Sequence, residues 1–121
     1  MLCVATAGAV LALATQTFTL DWTHSVTRTR WHEVWAVGPA GLRPIEAEVQ
    51  GPGAGMEIPD GAQRVPGGWR YRVQVPLQAV VLLASSGSTP SGWRLCAAGA
   101  CHDLGTTEGD PLRLWWGDGC G

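Results

Sequence analysis

The chain reads as an all-β domain, a small antiparallel sandwich or partly open barrel of short strands, and three observations predict it. Turn-forming residues recur at short intervals along its 121 residues, which include 17 Gly and 8 Pro. The runs between them are short, and many alternate apolar with polar side chains, the period of a strand with one buried face. No window sustains a helical period beyond about two turns. Short strands with tight turns at this spacing build sandwiches and small barrels. The length fits one domain, 1–121, able to bury roughly two-thirds of the surface its unfolded chain exposes.

The apolar start, Met1 to Leu20, invites comparison with an export signal, and Ala12-Leu13-Ala14 looks like a small-residue cleavage site. It lacks a basic first region, however, and Thr6, Gly8, Thr15 and Gln16 interrupt it. Nothing approaches the roughly 20 uninterrupted apolar residues of a spanning helix. We expect two strands instead, Leu2–Thr6 and Ala9–Ala14, joined around Gly8, and no transmembrane segment. Taken at face value, the missing export signal points to the cytoplasm.

Phe18, Leu20 and Trp22 share one strand face, against Thr19, Asp21 and Thr23 on the other. Trp31-His32-Glu33-Val34-Trp35 is the next aromatic strand. With Thr27–Arg30 as the connecting loop, Val26 lies opposite Trp31, and counting outwards sets His24 against Glu33 and Trp22 against Trp35. Opposed side chains stand about 4.5–5.5 Å apart at Cβ, so the carboxylate would orient the imidazole. Ser25 and His32 face the other way, which excludes His24 and Ser25 as a base and nucleophile pair.

Further turns are expected at Gly38-Pro39-Ala40-Gly41, Gly51–Gly55, Pro66-Gly67-Gly68, Ser85–Gly92 and Gly105–Pro111. Gln78–Ala84, apolar after its first residue and rich in Val, is expected to be a buried strand. In the last strand, Leu112, Leu114 and Trp116 alternate with Arg113 and Trp115.

Four cysteines allow three disulfide pairings. A hairpin turning through Ala97–Ala100 would set Cys96 opposite Cys101 at a separation a disulfide can span, and Cys3 and Cys120 would staple the ends. The alternatives are four buried thiols in a reducing compartment, or a zinc site, for which the CxxC spacing is absent.

Charge removes some partners. Eight basic residues, all Arg, against ten acidic ones give a net charge of -2, with no basic patch for nucleic acid or an anionic membrane. Two features remain as candidate sites. The first is His24 with Glu33 between Trp22 and Trp35, which is either a satisfied polar pair that pins strand register or an oriented imidazole for a small ligand or metal. The second is Gly51-Pro52-Gly53-Ala54-Gly55-Met56-Glu57. There Gly53 and Gly55 permit convergent backbone N–H groups and Met56 offers a soft sulfur, in a segment that otherwise reads as a surface connection. It lacks the spacing of a dinucleotide fingerprint and the Lys and Ser or Thr of a P-loop.

Phe18-Thr19-Leu20-Asp21-Trp22-Thr23-His24-Ser25-Val26, Trp31, Glu33, Gly53-Ala54-Gly55-Met56-Glu57 and Gly68-Trp69 resemble the bacterial family catalogued as domain of unknown function 1850. The resemblance runs over nearly the whole chain. It departs after Val26, where Thr27-Arg28 replaces the family's acidic or basic-acidic pair, and in the missing export segment. It implies a small domain without an established activity, often encoded beside TRAP-type transporters of the TAXI class. On that basis the chain is expected to be a noncatalytic accessory of such a transporter in the cell envelope or periplasm, with Trp69, Trp93, Trp115 and Trp116 as exposed anchors for a partner. A small-ligand or metal module at His24 and Glu33 is the alternative. An enzyme is the weakest reading, since no nucleophile, second carboxylate or cofactor motif is placed independently.

Overall fold

A computed structural model describes residues 1–23, 29–50, 58–85 and 92–120. Eleven strands follow in chain order: β1 (Leu2–Ala5), β2 (Val10–Leu13), β3 (Thr17–Thr23), β4 (Arg30–Gly38), β5 (Gly41–Gln50), β6 (Gln63–Val65), β7 (Gly68–Arg72), β8 (Val80–Ser85), β9 (Trp93–Ala97), β10 (Ala100–Leu104) and β11 (Gly109–Trp116). They form two antiparallel sheets, one of four strands in the order β2-β1-β11-β8 and one of seven in the order β10-β9-β3-β4-β5-β7-β6. The sheets pack face to face as a sandwich and do not close into a barrel. None of the described segments is a helix that could cross a membrane.

The core follows from strand alternation. Leu2 and Val4 of β1, Leu112 and Leu114 of β11, and Val81 and Leu83 of β8 meet Phe18, Leu20, Trp35, Val37 and Leu95 of the larger sheet. Fully burying one such side chain contributes about 1.5–3 kcal/mol before ordering entropy is subtracted. Because the smaller sheet has four strands, it covers only part of the larger one. Ala47 and Val49 of β5 are as buried as the core residues, at 3% and 1% exposure, but lie outside the main cluster.

The apolar run at Gln78–Ala84 corrects one expectation. The strand is Val80–Ser85, and it forms an edge of the smaller sheet with only alternate residues buried. Val81 and Leu83 face the core, whereas Leu82 is 62% exposed. A continuous apolar run marks a doubly covered strand only where a second layer lies over both faces. Among the described residues no element covers the outer face of β8.

Two tight turns set neighbouring registers. Gly38 pairs with Gly41, closing β4 onto β5 through Pro39 and Ala40. Ala97 pairs with Ala100 through Ala98 and Gly99, whose φ values are 51° and 80°. Both corners are left-handed, as a hairpin turn that matches sheet twist requires. This register places Cys101 opposite Cys96, and a disulfide joins them. A second disulfide ties Cys3 to Cys120 across the outer face of the smaller sheet, leaving no free cysteine.

The β3–β4 ladder corrects a second expectation. Trp22 lies opposite Trp31, not Trp35; Phe18 faces Trp35, and Leu20 faces Glu33. His24 therefore cannot be the residue opposite Glu33, and His24 itself lies outside the described residues. Arg30, assumed from sequence to belong to the Thr27–Arg30 loop, is paired with Thr23 within the ladder. The register moved by an even number of residues, so every side chain kept its face.

On the outer face this register assembles a cross-sheet row, Asp103, Arg94, Asp21, His32, Glu48, Arg70 and Gln63, one residue from each strand. From Asp103 to Arg70 neighbours alternate acid with base, and Gln63 ends the row with a neutral amide. The imidazole Nδ1 of His32 and Asp21 Oδ1 are 2.7 Å apart, Arg70 reaches Glu48 at 3.4 Å, and Arg94 reaches Asp103 at 3.7 Å. Such exposed pairs each contribute about 0–1 kcal/mol, and together they penalise slipped registers.

Candidate functional site

The inner face of the larger sheet carries two adjacent rows near the end where β3, β5 and the start of β4 meet. One runs Leu20, Glu33, Ala47, Tyr71; the other runs Trp22, Trp31, Val49, Trp69. Aromatic residues thus surround one acid. Trp22 and Trp31 stack at 5.4 Å between centroids and 12° between planes, as directly opposed strand partners do. Trp93 tilts against the other side of Trp22 at 5.3 Å and donates its indole N–H to the Ala84 carbonyl at 2.9 Å.

Glu33 is half-buried within this aromatic group. Trp35, two residues on and so on the same face, donates its Nε1–H to Glu33 Oε1 at 3.2 Å. Phe18 stacks on Trp35 at 5.7 Å and holds the donor in place. Burial pushes the Glu33 carboxyl above the ordinary glutamate range; the indoles of Trp35 and Trp22, and more weakly His32, pull it down without cancelling the effect. Among the described residues no Arg or His forms an ion pair with it.

Tyr71 belongs to the same environment. Burial, and secondarily the negative charge of Glu33, raise its phenol above the ordinary tyrosine range. On the far side of Trp69, Arg64 lies over the indole at 5.3 Å, so this ring already accepts a cation on one face.

Trp22, Glu33 and Trp35 are therefore brought together, although not through the pairings expected. His24, Ser25, Gly53, Gly55 and Met56 lie outside the described residues, as does the whole of the Gly51–Gly55 turn. The four tryptophans expected as exposed anchors are all partly buried. Trp93 belongs to the aromatic cluster, Trp116 packs on the core, Trp115 lies under Arg113 at 5.0 Å, and Trp69 under Arg64. Sequence reasoning left Trp31 and Tyr71 out of the site and read Trp93 as an exposed anchor instead. Trp31 was lost to the register error. Tyr71, the sole tyrosine, sits at alternate spacing from Trp69 in a short strand, a signal that is visible once that strand is paired beside Glu33's neighbour.

No group of three or more His, Cys, Asp and Glu residues converges to hold a metal among the described residues. An open cleft of about 660 Å³ at the β6–β7 edge is lined by Glu46, Asp60, Gln63, Arg70 and Arg72 together with Tyr71. Its charged residues on β5 and β7 lie on the face opposite Glu33, and both signs are present.

Comparison with known proteins matches residues 18–104 to a family model described as Domain of unknown function (DUF1850). Neither the curated proteins nor the solved structures contain a match. The matched span includes Trp22, Trp31, Glu33, Trp35, Trp69, Tyr71 and Trp93 and leaves out most of the smaller sheet.

Proposed function

The chain belongs to the DUF1850 family, and from that membership we propose that it is a noncatalytic binding domain, an accessory of a TRAP-type solute transporter, whose working surface is the Glu33 end of the seven-stranded sheet. The observation that carries the binding reading is the state of Glu33. A carboxylate half-buried among tryptophans is costly to ionise, and nothing among the described residues pairs it with a positive charge. A partner that supplies the missing positive charge relieves that cost. A purely structural acceptor for the Trp35 indole would be served as well by a neutral amide.

The transporter part rests on the family resemblance, whose members are often encoded beside TAXI-class systems. Two disulfides are in keeping with an oxidising compartment such as the cell envelope. The noncatalytic part rests on the chemistry of the site. Among the described residues, the ionisable group nearest Glu33 on its face is the Tyr71 phenol, with a raised pKa, a poor general acid or base near neutral pH.

The test is co-purification of the intact protein with the solute-binding and membrane subunits of a TAXI-class transporter, for wild type and for Glu33→Gln and Trp31→Ala. Capture by wild type and loss in both variants, with unchanged circular dichroism, supports the proposal. Capture that is unaffected by either substitution removes the Glu33 surface from the account. Metal titration of the same samples addresses the metal alternative at His24 and Glu33. Tight binding lost in His24→Ala but retained in Trp31→Ala would favour it over the proposal.

A further inference from the structure

After β7 the chain is tied to β5 at two points and stands away from it between them. The Val73 N–H donates to the Ile45 carbonyl at 3.2 Å, and Gln78 and Leu42 exchange two backbone bonds of 2.8 Å each. Residues 74–77 bridge these anchors outside any strand. The sequence explains the gap. Pro44 and Pro76 have no N–H to offer a ladder, and Ile45 is the extra residue of a β-bulge, since Val34 pairs with Glu46 but Trp35 with Pro44. The opening left beside the bulge is a cleft of about 570 Å³.

Its lining combines positive charge with apolar surface. Ile45, Val73, Val75 and Pro76 supply the apolar part, and Val75 is 40% exposed. Arg43 and Arg72 supply the charge, and both are exposed. Leu42 points into the core, which sets Arg43 on the outer face of the larger sheet; Arg72, two residues from Arg70, shares that face. The acid opposite Arg72 in the ladder is Glu46, but Glu46 is held by Arg70 at 3.4 Å. Among the described residues neither Arg43 nor Arg72 forms an ion pair. Arg72 also lines the neighbouring 660 Å³ cleft, where Glu46 and Asp60 bring negative charge; among the described residues no acid lines the cleft beside Ile45.

We infer that this cleft binds a small organic carboxylate, its head held by the guanidinium groups of Arg43 and Arg72 and its hydrocarbon body laid against Ile45, Val73 and Val75. A guanidinium matches a carboxylate with two parallel N–H donors, stronger than bonds between neutral groups. The volume lies in the range of small-molecule sites, and an inorganic anion would leave the apolar lining bare. A cation would meet two unpaired positive charges. A neutral apolar molecule would make no use of either. The site lies on the face of the larger sheet opposite Glu33, so it stands or falls independently of the proposed Glu33 surface.

The experiment is calorimetric titration of the intact, oxidised protein with sodium hexanoate at pH 7, against the neutral isostere hexanamide and against sodium phosphate at matched ionic strength. The expected result is saturable binding of hexanoate, with hexanamide and phosphate each weaker by about tenfold or more. Arg43→Gln and Arg72→Gln are each expected to weaken hexanoate by about tenfold and Val75→Ser severalfold, with melting unchanged because all three side chains are exposed. Arg113→Gln, on the smaller sheet, serves as the control and leaves hexanoate binding unaltered. Equal binding of hexanoate and hexanamide, or hexanoate binding unaffected by either Arg43→Gln or Arg72→Gln, overturns the inference. So does phosphate binding as tightly as hexanoate, or the absence of saturable heat from hexanoate.

Discussion

Tyr71 lies two strands from Glu33 in one cross-sheet row, with Ala47 between them, and the carboxylate of Glu33 adds to burial in raising the tyrosine's pKa. The acid is thus felt across β5 by the only tyrosine in the chain. This coupling joins β4 and β7 electrostatically and makes the state of Glu33 observable.

Glu33→Gln is expected to stabilise the protein at neutral pH. The amide oxygen still accepts from Trp35, while the half-buried charge is removed. In the wild type the folded state holds the Glu33 proton more tightly than the unfolded state. The Glu33 contribution to stability is therefore most favourable below the ordinary glutamate pKa, and it falls as pH rises through the window between that value and the raised one. Thermal melts across this range should show the variant gaining on wild type with increasing pH, by a few degrees, at roughly 4 °C per kcal/mol. A variant less stable than wild type at neutral pH contradicts this account.

The register is open to a direct test. Trp22 and Trp31 are opposed and stacked, so a double-mutant cycle with Phe18→Leu as an unrelated control should give a Trp22–Trp31 coupling of about 0.5–1.5 kcal/mol. Negligible coupling between them in denaturant melts would disprove the register.

Two turn and close-contact positions carry opposite signs. Ala98 holds φ 51°, where a Cβ is unfavourable, so Ala98→Gly should stabilise the β9–β10 hairpin by up to about 1 kcal/mol. At Gly68 a Cβ would collide with the carbonyl oxygen of Val49, so Gly68→Ala should cost about 2–3 kcal/mol by forcing β7 away from β5. Urea melts of both variants read these effects.

The disulfides should differ in weight. Cys3 and Cys120 are 117 residues apart and Cys96 and Cys101 only 5, so chain entropy assigns about 5 kcal/mol to the first and about 2 kcal/mol to the second. Paired Cys→Ser variants compared under identical non-reducing conditions should therefore rank with loss of Cys3–Cys120 as the more damaging change. The reverse order would contradict the assignment.

Much of the fold was legible because alternation and turn chemistry are local. The Leu2–Ala5 and Val10–Leu13 strands around Gly8, the Gly38–Gly41 turn and the Cys96 to Cys101 hairpin all follow from short-range signals. The Trp22 register did not, because it was counted outwards from an assumed Thr27–Arg30 loop, whereas Arg30 pairs with Thr23, and no local signal marks that difference. The exposed face of β8 was hidden for a related reason: an apolar run reports what a strand can bury, while the four-strand width of the smaller sheet decides what covers it. Within the site, Glu33 and Trp35 were identifiable from their spacing on one strand. Tyr71 and Trp69 became part of it only through the β5–β7 pairing, a contact between distant segments that composition does not encode.

The central claim is that Glu33 carries an ionised carboxylate, enclosed by aromatic residues, that acts across β5 on Tyr71. Absorbance titration of the single tyrosine near 295 nm, in wild type and Glu33→Gln, tests it most directly. The predicted result is a Tyr71 titration above the ordinary tyrosine range in wild type that moves downwards, but not fully back, in Glu33→Gln, because burial remains after the charge has gone. Identical titrations in the two proteins, or an upward move in the variant, would contradict it.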